Sequence, residues 1–277
     1  MAAPIRLRTE SAGRLSPSRP APHPAAATAG VAAVLRGPRR VATIVARSPY
    51  AVYAQDRHTV VAVLARDAVV VPCGLATGWN HVGDAREVVL GAGRCTVDGR
   101  EVRVGRLVDA TVRPVIADAG PVAADADELL AAVMPHLPGL PEGTYDALRA
   151  DDPAAATALL GRGPGLTPLG DDVLAGWLVG RYARGHRGGR VAAAVLTDAP
   201  ARTTTVSAVL LAHAVRGEAV PQLRAYLADP EDPTTLAALR AVGHTSGTGL
   251  ALGVALSVPL ASPLCKQPDA IHLPQSI

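Results

Sequence analysis

Apolar residues recur along this chain with two different periods, and the change falls near residue 120. Before it, short valine-rich runs are separated by turn residues, which is the pattern of strands. Such runs cover 41–46, 59–64 and 68–71, and two more, 94–97 and 100–104, flank Asp98-Gly99. An Asp-Gly pair between two such runs predicts a two-residue hairpin turn. Trp79-Asn80-His81 falls in a loop between strand runs, where a turn with one packed indole explains it at least as well as a site.

From residue 125 the period becomes helical, with Leu129, Leu130, Val133 and Met134 on one face of 125–136. Asp152-Pro153 opens a helix by cap and first-turn proline, and Gly161 ends it. Further helices are predicted over 172–184, 203–216, 220–228, 232–241 and 248–258. Gly176 and Gly180, four apart on the first of these, allow a close helix contact. The fold class is therefore α+β, with a β-rich N-terminal half and an all-helical C-terminal half. The expected organisation is a disordered extension over 1–29, a β-rich part over 30–120, a helical part over 121–261 and a tail over 262–277. Residues 1–29 are rich in Pro, Ala, Arg and Ser and lack a core-forming period, hence the expectation of disorder.

Composition narrows the function classes. The chain has 277 residues, 49% of them hydrophobic, enough for a full core. The net charge of +3 is small and aromatics make up 3%, so nucleic-acid binding is not expected. Lys266 is the one lysine, and phenylalanine is absent. Cys73, Cys95 and Cys265 are odd in number and far apart, which fits a reducing cytoplasm better than a disulfide framework. No apolar run reaches the ~20 residues of a membrane span, so no membrane partner is expected.

Candidate chemistry gathers at three polar helix starts. The first is Gly163-Pro164-Gly165-Leu166-Thr167-Pro168-Leu169-Gly170-Asp171-Asp172, a glycine-rich loop running into an apolar helix. It keeps the glycine spacing of a nucleotide-binding loop but puts two aspartates where the lysine and hydroxyl should be. Such a loop can offer backbone N–H groups to an anion. Its carboxylates can cap the helix, hold a cation or accept hydrogen bonds from an amide NH2. The second start is Thr203-Thr204-Thr205 with Ser207, and the third is Gly243-His244-Thr245-Ser246-Gly247-Thr248. Each cluster alone reads equally as ordinary capping, but converging starts can enclose a small polar ligand. The candidate ligand-binding residues are Gly163, Gly165, Thr167, Gly170, Asp171, Asp172, Thr204, Ser207, His244, Thr245, Ser246 and Gly247. Asp171, nearer the glycine loop, is the expected ligand contact. Ser246 lacks the setting of a serine nucleophile.

The motif from Gly163 to Gly176, followed by 203–207 and Gly243-His244-Thr245-Ser246-Gly247, resembles the AllH-type subunit of oxamate carbamoyltransferase. The resemblance covers about residues 30–260, with its specificity in 161–258. It implies a role in allantoin breakdown, in exchange of a carbamoyl group between oxalurate and phosphate. It also implies two partner subunits, a small anionic carbamoyl substrate and a cytoplasmic setting. Arg162 and Arg202 flank two of the motifs. Two positions depart from the family pattern: Leu169 stands where the family usually has serine, and Gly249 where it usually has an acidic residue. They imply altered substrate choice, or a fold kept without the activity.

The leading expectation is a carbamoyltransferase-like subunit. The alternative is a non-catalytic assembly or small-anion-sensing module of the same fold. A metal-dependent hydrolase using Asp171, Asp172 and His244 ranks last, since three ligands across two motifs make no recognisable metal spacing. No cofactor and no metal are expected.

Overall fold

The computed structural model describes residues 21–114 and 126–258. The N-terminal half is a closed eight-stranded barrel. Its elements are β1 (His23–Ala27), α1 (Ala29–Arg36), β2 (Arg40–Ser48), β3 (Ala51–Asp56), β4 (Thr59–Leu64), β5 (Gly74–Thr77), β6 (Val88–Gly91), β7 (Arg94–Val97) and β8 (Arg100–Leu107). Around the barrel the order is β1-β5-β4-β3-β2-β6-β7-β8, and parallel pairing of β1 with β8 closes it. The Asp98-Gly99 hairpin forms as predicted: Val97 pairs with Arg100 and both turn residues have positive φ, which suits right-twisted strands.

The barrel is filled by small and branched side chains, among them Val52, Val61, Val63, Leu75, Val88 and Val102, all fully buried. Cys95 lies in this core, and Cys73 lies in a small cluster on its flank. Burial pushes both thiols up to about 12, so they pack as small apolar groups. Trp79 is a packed indole, with the Arg100 guanidinium 3.8 Å above its ring, so the plain reading of that loop fits.

Two sequence expectations are corrected here. β1 lies inside the stretch expected to be disordered; residues 1–20 fall outside the described residues. Its own residues carry no strand signal, and the pairing is supplied by β5 and β8, which take Ala25 and Ala27 into the barrel core. Residues 68–71, read as a strand, form no strand. They belong to the connection from β4 to β5, where Gly74 N–H closes a turn on the Val71 carbonyl and Pro72 has no N–H to give a ladder.

The C-terminal half is helical: α2 (Ala126–Val133), α3 (Thr144–Arg149), α4 (Pro153–Leu159), α5 (Leu169–Ala183), α6 (Arg190–Arg202), α7 (Thr205–Val215), α8 (Pro221–Ala228), α9 (Pro233–Arg240) and α10 (Ser246–Leu256). A short 3-10 turn, Met134–His136, follows α2. Capping chemistry sets several starts. Asp152 accepts from Ala154 N–H, Thr204 from Ser207 N–H and Asp232 from Thr234 N–H.

The central pair is α5 against α10. Their glycines meet the opposite backbone directly. A Cβ on Gly176 would overlap the Leu250 carbonyl, and one on Gly253 would overlap the Val173 carbonyl. The close contact expected from Gly176 and Gly180 is thus made against α10, which brings its own pair, Gly249 and Gly253, four residues apart. The helix α6, with Val191, Val195 and Ala199 buried one turn apart, was not among the sequence-predicted elements. Among the described residues no helix is long and apolar enough to cross a membrane.

Candidate functional site

The starts of α5, α7 and α10 converge. Thr167 Oγ1 lies 3.2 Å from Ser246 Oγ, joining the glycine-rich loop to α10. Thr204 donates from Oγ1 to the Leu166 carbonyl at 2.6 Å, joining the same loop to α7. Asp171 ties α5 to the rest: Oδ1 accepts from Gly161 N–H at 2.8 Å, and Oδ2 accepts from Ser207 Oγ at 2.6 Å and from the Thr203 hydroxyl.

Neither aspartate caps α5. The helix begins three residues before the expected start, with Pro168 at its cap, which places Asp171 and Asp172 inside the first turn. Successive helical residues point about 100° apart, and here that separation gives the two acids different work. Asp171, buried, has every oxygen engaged by protein donors. Burial raises its pKa, and the hydroxyls of Ser207 and Thr203 and the Gly161 N–H oppose that rise. Asp172, 8% exposed, has an Oδ2 atom that is buried with no hydrogen-bond partner. Burial pushes its pKa up to about 8, with the Ser246 hydroxyl opposing the rise and the Asp171 charge adding to it. The geometry therefore favours Asp172, not Asp171, as the ligand contact.

Asp172 lines a cavity of about 250 Å³ between barrel and helices. The barrel side contributes Tyr53 from β3 and Val69, Val71 and Pro72 from the β4–β5 connection. The helical side contributes Thr167, Asp172, Ala175 and Val179, then Leu210 and Ala214 from α7, Leu223 from α8, and Ser246 and Leu250 around α10. Glu218 closes another wall. The lining is mostly apolar with a few polar groups, as small-molecule sites are. Tyr53 and Glu218 carried no signal in the sequence, because the β3 run and the α7–α8 connection each look ordinary alone.

Thr167, Asp172 and Ser246 face the cavity, while Thr204 and Ser207 stand behind Asp171 as its scaffold. Gly170 packs against α4, where a Cβ would overlap the Leu159 carbonyl, and Gly247 packs likewise against Leu239. Gly163 and Gly165 hold positive φ in the loop. Gly163, Gly165, Gly170 and Gly247 do not line the cavity. Three N–H groups at the start of α5 are not offered to an anion: Gly170 N–H bonds the Arg162 carbonyl, and those of Asp171 and Asp172 turn back to Pro168. His244 is exposed and edge-on to His136, outside the cavity, and Thr245 caps α10 without a side-chain bond. Among the described residues there is no cluster of three metal-ligating side chains, so Asp171, Asp172 and His244 do not form one. Arg162 and Arg202 are spent on main-chain carbonyls, of Ala158, Pro138 and Gly139 and of Thr157 respectively.

The two departures from the family pattern meet each other. A Cβ on Gly249 would come 2.7 Å from Leu169 Cδ1 and 3.0 Å from Asp172 Cβ. Leu169 and Gly249 thus lie together beside Asp172.

The family model described as "Oxamate carbamoyltransferase subunit AllH" matches residues 159–258. The matched stretch runs from the end of α4 through α10 and holds both aspartates, Thr167, Thr204, Ser207 and Ser246. The match supports the family resemblance carried by the three motifs. No curated protein and no solved structure matches the chain.

Proposed function

We propose that this chain is a subunit of a carbamoyltransferase complex of the oxamate type, working with other chains in purine catabolism, with Asp172 receiving the carbamoyl group of the substrate. The reaction joins a phosphate oxygen to the carbamoyl carbon of oxalurate and breaks its bond to the amide nitrogen. That nitrogen takes the phosphate proton and leaves as oxamate. The observation that carries the reading is the buried, unpartnered Oδ2 of Asp172, a residue that lines the cavity from within the matched stretch. A buried polar atom without a partner costs about 1–3 kcal/mol, a cost that a ligand hydrogen bond offsets.

A second reading, a non-catalytic assembly or sensing module, is favoured by one feature. Among the described residues the cavity lining has no lysine, arginine, histidine or cysteine. Partner chains would then supply the chemistry. Carbamoyl phosphate formation by the chain reconstituted with its partner subunits separates the two readings. Asp172→Ala is expected to assemble normally and lose turnover roughly thirtyfold, the equivalent of about 2 kcal/mol of lost hydrogen bonding. Undiminished turnover in that variant would leave only the assembly role.

A further inference from the structure

The two carboxyl groups in the cavity wall differ in charge. Glu218 is held ionised: its Oε2 bonds His213 Nδ1 and lies 3.5 Å from Arg216 Nη2, and the His213 bond foremost keeps its pKa below the usual range. Its charge is matched from outside the cavity. Asp172 has no such neighbour. It sits among Leu169, Ala175 and Leu250, with the Ser246 hydroxyl on its carboxyl and one oxygen unpaired. Burial foremost, and the Asp171 charge after it, raise its pKa to about 8, which favours the protonated acid at neutral pH. Apolar sites elsewhere keep a carboxylic acid neutral for hydrogen bonding in the same way.

A protonated carboxyl presents one donor and one acceptor side by side. An amide or ureido group presents the complementary acceptor and donor, so two hydrogen bonds form without burying net charge. A ligand carboxylate meets the opposite situation. It would lose its water in a wall with no cation among the described residues, near the charge of Glu218.

We infer that this cavity takes an uncharged amide or ureido group on Asp172 and rejects carboxylates. The choice of a ureido group rests on the proposed subunit function: the carbamoyl end of the substrate enters and its carboxylate stays outside. This refines the expectation of a small anionic substrate, because the anionic part is not what this wall recognises.

The test uses a matched pair, propionamide and propionate, near-isosteric molecules whose single polar end is an amide or a carboxylate, so that only that end can meet Asp172. Each is titrated calorimetrically into the full chain at pH 7. The amide is expected to bind at least about tenfold more tightly, the scale of one unmatched buried charge or hydrogen bond. Asp172→Ala should lose about tenfold or more of the amide affinity. Asp172→Asn, which keeps a donor beside an acceptor and cannot ionise, should stay within about threefold of the parent. Equal affinity for the two compounds, binding of neither, loss of amide binding in Asp172→Asn, or parent-like binding in Asp172→Ala would each overturn the inference. Preference for the amide without transfer in the reconstituted complex would sink the subunit function and leave the cavity assignment standing. Turnover without that preference would do the reverse.

Discussion

The barrel and the helical half are built on opposite principles. In the barrel, side chains do the filling: branched residues from every strand meet in a closed interior, and the backbone is committed to its ladders. In the helical half the closest contacts are backbone on backbone. Gly176, Gly249 and Gly253 remove the side chains between α5 and α10, and the space saved brings Ser246 beside the first turn of α5. The consequence lies in where polar groups end up. The buried acid of the barrel, Glu101 on β8, is answered by Arg94 and Arg103, whereas the helical half buries two adjacent aspartates without a cation among the described residues, one fully bonded and one with an orphan oxygen. A barrel filled by side chains is a platform, and a helix pair joined through glycines can carry a polar site in its interior.

The sharpest way to break the barrel side of this contrast is to remove its closing strand. A chain beginning at Gly30 loses β1, which pairs with both β5 and β8, and loses Thr28, which caps α1 and donates to the Pro72 carbonyl. Opening a closed barrel exposes two strand edges. The truncated chain is expected to be insoluble or to lose its cooperative thermal transition. An unchanged melting temperature would show that the barrel stands without β1.

On the helical side one added side chain should suffice. In Gly253→Val the new Cβ would overlap the Val173 carbonyl and lie 2.5 Å from Trp177 N and 2.9 Å from Gly176 C. Backbone cannot rotate away as a side chain can, so a loss of about 3 kcal/mol or more is expected. Urea denaturation measures it, and a loss below about 1 kcal/mol would show that α10 can slide past α5.

How much of this was legible in the sequence differs between the halves. Valine runs at 41–46 and 59–64 and the Asp98-Gly99 turn carry strand information locally, and the structure has strands there. β1 does not, because His-Pro-Ala-Ala-Ala gains its strand form from its neighbours. The 68–71 run has strand composition, yet Pro72 and the turn at Gly74 turn it into cavity wall. The acids were visible as a pair after a glycine-rich loop, but their roles were not. Those depend on the true start of α5 at Leu169 and on which neighbour each direction meets, Gly161 and α7 for Asp171 and the cavity for Asp172. Only the packed helices determine those directions.

The finest probe of the contrast is the pH dependence of Asp172, for which the expected change is small near pH 4 and grows with pH. Its folded pKa, about 8, lies well above the ~3.9 of an unfolded aspartate. Between those values the folded chain holds a proton that the unfolded chain has released, so stability falls as pH rises and levels off above about 8. Burial raises the pKa of Asp171 too, but that group is present in both chains compared. Glu101, Asp109, Glu218 and Asp232 have pKa values held low, and the stability they contribute is lost only in acid, below the window that matters. Asp172→Asn cannot ionise. Its melting temperature should track the parent's within the equivalent of about 1 kcal/mol near pH 4, then exceed it progressively toward pH 8. Parallel curves for the two chains across pH 5–8 would mean that Asp172 is already ionised in the folded protein, and the neutral-acid cavity would fall with that result.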